Sequence, residues 1–148
     1  MREHTFRAQK KDTREWVYGY LVVQPNSTFI IPKTDTDKLP DFVDVYPETV
    51  NGCSGLLDGS TPPKKVFDGD ILRSNDYPFN SDGIDQYYGV VFWDEETARF
   101  GIETVRSAHA TVSGCSDGNC DSLEDIKDFQ VIGNVYDNAN LLRDNYIF

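Results

Sequence analysis

The sequence predicts a mainly β fold, a compact barrel or roll with little helix. Short runs of alternating apolar and polar residues recur along the chain, and clusters of Gly, Pro, Asn, Asp and Ser separate them. Aromatic residues make up 13% of the chain and are mostly Phe and Tyr, which favour strands. A length of 148 residues fits one core, so we expect a single domain over residues 1–148.

An N-terminal hairpin is the first predicted element. Residues 4–9 alternate well enough for a strand, and after a polar turn residues 16–23 form its partner. Gly19 inside the second strand indicates either a bulge or a close approach between backbones. Residues 28–31 predict a third, short strand that ends at a proline.

The rest of the chain alternates between loops and strands. Residues 42–46 alternate, and residues 48–50 are expected to continue that strand after Pro47. Most of the remainder of residues 33–65 has a loop composition. Further strands are expected at residues 71–72, 86–94, 99–105 and 130–136, and helical turns at 122–126 and 140–142. Residues 74–85 are expected to form a loop, and residues 107–121 a loop or an edge strand.

Charge is distributed unevenly along the chain, whose formal net charge is −11. Residues 1–20 contain five Lys/Arg and three Asp/Glu, a net of +2, whereas residues 34–96 contain four and fourteen, a net of −10. An acidic body argues against binding to a nucleic-acid backbone, which depends on Lys and Arg. We interpret the acidity mainly as a source of solubility, with engagement of a basic partner as the alternative.

The compartment follows from what the sequence lacks. It contains no apolar run long enough to span a membrane, and residues 1–7 lack the apolar segment of a signal peptide. Three cysteines, an odd number, fit reduced thiols. We therefore expect a cytoplasmic protein without membrane contact.

Two stretches about sixty residues apart are the most distinctive part of the sequence. They are Val66-Phe67-Asp68-Gly69-Asp70-Ile71-Leu72 and Phe129-Gln130-Val131-Ile132-Gly133-Asn134-Val135-Tyr136-Asp137-Asn138. Asp68-Gly69 supplies a turn because Gly adopts positive φ without steric cost, and Asp70 can accept backbone hydrogen bonds. We interpret Asp68, Gly69 and Asp70, like Gly133 and Asn134, as structural turn residues rather than as a carboxylate pair in a cleft.

These stretches and three others resemble the motifs of the YopX family. The family's opening pattern M-R-E-x-x-F-R-A corresponds to residues 1–8, and its closing pattern F-E-V-I-G-N-I-Y-E-N-P-E-L-L to residues 129–142. The further matches are Val17-Tyr18-Gly19, Ser54-Gly55-Leu56-Leu57-Asp58 and the Asp68-Gly69-Asp70 turn. The chain departs from the pattern at Gly52 and Cys53, which replace a Gln and a Tyr, and in a longer segment at 59–65.

The resemblance implies a fold, an origin and a compartment. The fold would be a small barrel similar to the Src-homology-3 roll, and the gene would belong to a phage or prophage in a bacterial cytoplasm. The resemblance implies no biochemical activity and no catalytic residues.

The sequence contains no recognisable catalytic motif. His109 lacks a nucleophile elbow nearby, and Gly-rich phosphate loops are absent from the sequence. His109, Cys115 and Cys120 are a weak match to zinc ligands, and a disulfide between the two cysteines on oxidation is left open. Residues 117–128 begin like a calcium loop but lack its Gly and its closing Glu. We expect no cofactor, no metal and no enzymatic activity.

Aromatic residues supply the best indication of an interaction surface. Trp16, Tyr18 and Tyr20 lie on predicted strands, where most rings are expected to be core. Neighbouring residues of a strand point to opposite faces, so one ring of each adjacent pair is expected to be exposed. The predicted surface comprises Tyr87, Tyr88, Phe92 and Trp93.

The sequence thus favours a non-enzymatic phage or prophage accessory protein that binds a host or phage protein. A nucleic-acid-associated regulator acting through the basic hairpin of residues 1–20 is one alternative, although the acidity argues against it. A small hydrolase using loop carboxylates is a weaker alternative. Self-association into a homo-oligomer is left open.

Overall fold

Antiparallel strands dominate the computed structural model, which describes residues 4–74, 87–106 and 120–141. The chain divides into two units, Met1–Gly55 and Leu56–Phe148. The prediction of a single domain over 1–148 stays a prediction. Within the described ranges no helix is both long and apolar enough to cross a membrane.

The described elements are short, and nearly all are strands. The strands are β1 (Phe6–Gln9), β2 (Trp16–Gln24), β3 (Ser27–Pro32), β4 (Val43–Asp44), β5 (Asn51–Leu57), β6 (Lys65–Phe67), β7 (Asp70–Ser74), β8 (Tyr87–Asp94), β9 (Arg99–Arg106), β10 (Cys120–Ser122) and β11 (Gln130–Asn134). Short 3-10 helices span Pro47–Thr49 and Leu123–Asp128, and one helical turn spans residues 139–141. The predicted mainly β class is confirmed.

The first unit is built on an antiparallel sheet with the strand order β4-β3-β2-β1-β5. Alternate residues of these strands face one side of the sheet, where they form a buried cluster of Ala8, Val17, Ile30 and Val45. Phe6, Leu21, Val43 and Val50 pack against that cluster. This side is called the core face below.

Gly19 marks a close approach between β2 and β3. Gly19 forms the end pair of both registers of β2, opposite Phe6 of β1 and Pro32 of β3, and neither register has a shift, so it is not a bulge. A Cβ at this position would collide with the backbone oxygen of Ile31 and lie 2.9 Å from the Cα of Pro32. Of the two predicted roles, close backbone approach is therefore the one the structure has.

The first sheet bends back on itself at one corner. Val45, just after β4, forms an isolated antiparallel bridge with Lys10, just after β1. The amide of Tyr46 also donates to the carbonyl of Gln9 at 2.9 Å. This single bridge does not close a barrel, and the described strands form two antiparallel sheets, so the predicted Src-homology-3 barrel is not confirmed.

The second unit contains an antiparallel sheet with the strand order β10-β9-β8-β7-β11. Its core combines one face of this sheet with the 3-10 helix that precedes β11. The buried members are Val66, Leu72, Val91, Ile102, Ile126 and Phe129, with Phe100 and Val131 packed against them.

The predicted strand at residues 48–50 is wrong, because Pro47–Thr49 is a 3-10 helix. Proline is favoured at the start of a helix, where its missing N–H is not needed. The Thr49 hydroxyl then donates to the carbonyl of Tyr46 at 2.7 Å and accepts the amide of Gln9 at 2.9 Å. These two bonds fix a helical turn where sequence alternation alone favoured extended chain.

Candidate interaction surface

Two tyrosines of β2 point away from the core face of the first unit. Tyr18 and Tyr20 alternate with Val17, Gly19 and Leu21, which belong to the core side. Their side chains are 50% and 47% exposed. Because successive side chains of a strand point to opposite faces, both rings lie on the side of the sheet opposite to the core face.

The exposed surface continues from β2 across β3. Ile31 lies opposite Tyr20 in the register, and Phe29 lies two residues before it on the same face. The ring of Phe29 contacts the exposed ring of Phe42 with 6.0 Å between centroids. We define the aromatic face as Tyr18, Tyr20, Phe29, Ile31, Leu39 and Phe42.

A cleft of about 360 Å³ opens at one end of the aromatic face. The strands contribute Tyr20, Ile31 and Pro32 to its wall, and the following loop contributes Leu39 and Pro40. The remaining lining residues are Lys33, Thr34, Thr36, Asp37 and Lys38, which add both signs of charge to the lining. A cleft lined by apolar and polar residues together suits an apolar side chain with polar groups near it.

Three basic side chains of the N-terminal hairpin are engaged within the first unit. Arg7 is buried, donates from Nε to Asn51 Oδ1 at 3.1 Å and lies 4.9 Å from the centre of the Trp16 ring. Arg14 lies 4.5 Å from the centre of the Tyr46 ring. Lys11 forms an ion pair with Asp44 at 3.7 Å, with both side chains half exposed.

The four residues of the predicted interaction surface on β8 do not share one exposed face. Tyr88 is buried, with 9% of its surface exposed, and Phe92 is half-buried. Trp93 is 39% exposed, but it lies on the same side of the strand as buried Val91. Tyr87 belongs to β8, and its side chain lies outside the described part of the structure. This surface stays a prediction.

The partly exposed ring of Trp93 also makes a contact within the fold. Its ring meets Phe100 edge to face, with 4.8 Å between centroids, directly across the β8–β9 pair. Phe100 in turn packs on the core of the second unit. The Trp93 ring therefore packs over Phe100 at the end of this core, while part of the ring remains exposed to solvent.

The Asp68-Gly69-Asp70 turn is held by backbone contacts. Gly69 has φ of 86°, its amide donates to Val91 at 2.7 Å, and its carbonyl accepts the amide of Val135 at 2.9 Å. The buried carboxylate of Asp70 accepts the amide of Phe67 through Oδ2 at 2.8 Å. The carboxylate thus serves the turn, as expected for a structural residue.

The closing motif is organised around two asparagines. The amide of Asn134 donates to Asn138 Oδ1 at 3.1 Å, and the amide of Asn138 donates back to the Asn134 carbonyl at 2.9 Å. Asn134 Oδ1 accepts the amides of Tyr136 and Asp137 at 3.0 and 2.9 Å. Gly133 leaves room for this arrangement, because a Cβ there would lie 2.6 Å from Asn138 Cγ.

Asp58 is a further organising residue, which sequence reasoning passed over. The residue is 4% exposed, and its carboxylate accepts hydrogen bonds from Ser60 N, Ser60 Oγ, Lys64 N and Val131 N at 2.8 to 3.0 Å. Burial raises the pKa of Asp58, but the bonds from the Lys64 and Val131 amides and from Ser60 outweigh it and hold that pKa below its ordinary value. The available signal was its position at the end of the Gly55-Leu56-Leu57-Asp58 match.

In the described part of the chain, no group of three or more His, Cys, Asp or Glu residues could hold a metal ion. Cys53 is a buried free thiol. His109 and Cys115 lie outside the described residues, as does the side chain of Cys120. Residues 120–121 lie in the edge strand β10, which fits the edge alternative, and the loop-or-edge prediction for residues 107–119 stays a prediction. The interpretations of zinc ligands, a disulfide and a calcium-like segment also stay predictions.

These features define a helix-poor antiparallel β protein with an exposed aromatic face and with turns held by backbone-binding Asp and Asn side chains. A family model described as YopX protein matches residues 5–143, so the chain belongs to the YopX family and the resemblance of its motifs is confirmed. No curated protein matches the chain significantly.

Proposed function

We propose that this YopX protein is a non-enzymatic binding module, encoded by a phage or prophage, that engages a host or phage protein in the bacterial cytoplasm. The observation that carries the proposal is the exposed aromatic face of the first unit, with the cleft at its end. The partner contributes an extended segment whose apolar side chains cover the face, with one of them in the cleft.

Exposed tyrosines favour a protein partner. A Tyr ring presents a large apolar area with a hydroxyl at its tip, at a small cost in side-chain entropy, and tyrosines are enriched among the residues that dominate binding energies. Tyr18 and Tyr20 stand on a paired central strand rather than on a loop, so their positions are fixed before binding. Preorganisation of this kind lowers the cost of association.

A nucleic-acid partner has less support. Binding to phosphates needs free Lys and Arg side chains on a common surface. Arg7, Lys11 and Arg14 have partners within the first unit, which by sequence contains seven Lys/Arg and eight Asp/Glu, a net of −1. The second unit contains seven and seventeen, a net of −10, and repels a polyanion.

A hydrolase has no specific observation in its favour. General acid–base catalysis needs a carboxyl group that faces a substrate in a concave site. Asp58 and Asp70 instead accept hydrogen bonds from backbone amides of their own loops and turns. Asp37, the carboxylate that lines the cleft, shares this lining with Lys33 and Lys38.

The experiment replaces Tyr20 by the photocrosslinker p-benzoylphenylalanine in cells of the bacterial host. A protein crosslinked at Tyr20 is identified, purified and titrated against the unmodified chain and the Tyr18→Ser and Tyr20→Ser variants. We expect each substitution to weaken binding about tenfold or more, the loss of roughly 1.4 kcal/mol typical of a central interface residue.

Two matched controls locate the interface. Val23→Ser removes an exposed apolar side chain from the same strand, β2, but on its other face, and should bind like the unmodified chain. Trp93→Ser tests the surface predicted on β8. Binding that is lost in Trp93→Ser and retained in both tyrosine variants would refute the aromatic face as the binding site.

A further inference from the structure

β11 is an edge strand whose outward backbone groups are already occupied. It ends the strand order of the second sheet and pairs with β7. At Val131 the amide donates to Asp58 Oδ2 at 2.8 Å, and the carbonyl accepts Lys64 Nζ at 3.0 Å. At Asn134 the amide and the carbonyl are both bonded to Asn138. Loop and side-chain groups thus take the place of a neighbouring strand.

Residues 58–64 form the segment that covers Val131, and we call this segment the strap. Asp58 closes its two ends, because its amide donates to the Lys64 carbonyl at 2.9 Å and its Oδ1 accepts the Lys64 amide at 2.8 Å. The amide of Gly59 then donates to the carbonyl of Phe129 at 2.8 Å. Gly59 lies so close to the carbonyl of Lys127 that a Cβ would collide with it. The strap is therefore ordered in itself and docked beside β11.

The sequence of β11 explains why its edge requires a cover. Natural edge strands avoid unwanted pairing through Lys, Pro, bulges or a covering loop. Gln130-Val131-Ile132-Gly133-Asn134 contains no charged residue and no Pro, and its Val-Ile pair favours strand pairing. A register shift between Val131 and Gly133 is the one such device within the strand itself.

We propose that the strap is an edge guard, which keeps β11 from pairing with β11 of a second copy of this chain. When the strap is released, two chains join through their β11 edges in an antiparallel, two-fold symmetric contact that closes at a dimer. A second copy fits because β11 against β11 places uncharged residues opposite one another, so the acidity of the second unit does not oppose the contact at the strand itself.

The test is Asp58→Asn in the full chain. The amide nitrogen that replaces Oδ2 cannot accept a hydrogen bond from Val131, so two donors face each other and the strap loses its hold on the edge. Asp128→Asn makes the same change of charge at an exposed position next to Lys127 and is the matched control. The mass in solution is measured by light scattering over a hundredfold range of protein concentration, with circular dichroism as the check of folding.

We expect the unmodified chain and Asp128→Asn to keep the monomer mass of 16.8 kDa, and Asp58→Asn to reach twice that mass as concentration rises. Adding Gln130→Lys to Asp58→Asn should restore the monomer, because a Lys on an edge strand opposes its pairing with a second strand. Gln130 is exposed, so the added Lys disturbs no core.

If Asp58→Asn does not fold, Gly59→Ala replaces it. The Cβ added at Gly59 would collide with the carbonyl of Lys127, so this variant displaces the strap from its place beside β11 and leaves the Asp58 carboxylate unchanged. A folded Asp58→Asn or Gly59→Ala that stays monomeric at every concentration would overturn the proposal. So would a dimer that Gln130→Lys leaves intact, since the contact would then lie elsewhere.

Discussion

Asp58→Asn should also destabilise the folded chain, independently of any association. In the native structure one buried carboxylate satisfies three backbone amides and one hydroxyl, at Ser60, Lys64 and Val131. Asn keeps one acceptor oxygen and replaces the other by a donor. The amide of Val131 then loses its partner. The hydrogen bonds that remain are weaker, because their acceptor is a neutral amide oxygen and no longer an ionised carboxylate.

The magnitude follows from these two losses. A buried donor left without a partner costs about 1–3 kcal/mol, and hydrogen bonds to an ionised group are worth about twice those to a neutral one. We expect Asp58→Asn to lower the free energy of unfolding by about 2–4 kcal/mol. For a chain of this size that corresponds to a fall in Tm of roughly 5–15 °C.

The assay is urea unfolding at pH 7, at a protein concentration low enough to exclude association. Asp128→Asn serves again as the control and should change the stability by less than about 0.5 kcal/mol, as is usual for surface substitutions. An Asp58→Asn variant as stable as Asp128→Asn would refute the account of Asp58 as the residue that holds the strap.

The pH dependence gives the same account a second test. The pKa of Asp58 is lowered from its ordinary value of 3.8, so its carboxylate stabilises the fold fully above that pH. This contribution is lost as the pH falls through the lower, folded pKa. Asn does not titrate, so the stability difference between the unmodified chain and Asp58→Asn should be constant near pH 7 and narrow below about 3.8.

Three other substitutions follow from packing. Gly133→Ala should cost about 1–2 kcal/mol by displacing the Asn138 carboxamide, and in a double-mutant cycle with Asn138→Ala most of that cost should disappear. Arg7→Lys should cost about 1–3 kcal/mol and alter the fluorescence of Trp16, because an ammonium cannot reproduce the stacked guanidinium. Phe129→Ala, which empties a fully buried site, should cost about 3–5 kcal/mol in urea unfolding.

Each of these expectations has a clear contrary result. Additive effects of Gly133→Ala and Asn138→Ala would mean that the two residues do not compete for the same space. An Arg7→Lys variant with unchanged stability and Trp fluorescence would mean that the contact with Trp16 contributes little. A cost below about 1 kcal/mol for Phe129→Ala would place that ring outside the core.

Most strands could be located from sequence because their period reflects local geometry. Alternation over residues 4–9 and 16–23 predicts strands that the structure has at Phe6–Gln9 and Trp16–Gln24. The same rule failed at residues 48–50, where Pro47 and the hydroxyl of Thr49 form a 3-10 turn through bonds to Tyr46 and Gln9. A bond to Gln9 joins residues forty positions apart, so no local pattern contains it.

The exposed aromatic face was harder to predict than the strands. The sequence favours an interaction surface on β8, which stays a prediction, whereas the aromatic face lies on β2, β3 and the loop that follows β3. The spacing of Tyr18 and Tyr20 indicates a shared face but not which side of the sheet is covered. Leu39 and Phe42 join that face through the path of a loop, which alternation does not describe.

The sequence by itself determined the class of the fold, most of its strands and the family, since strand alternation, turn residues and family motifs are all local patterns. Only the tertiary structure decided which faces are covered and what the motif residues do. The Asp58 carboxylate bonds to the Val131 amide, 73 positions away. Gly69 bonds to Val91 and Val135 through backbone amides and carbonyls, which are the same in nearly every residue type. Such contacts depend on the path of the whole chain, because a hydrogen bond is selected by proximity and direction and not by spacing along the sequence.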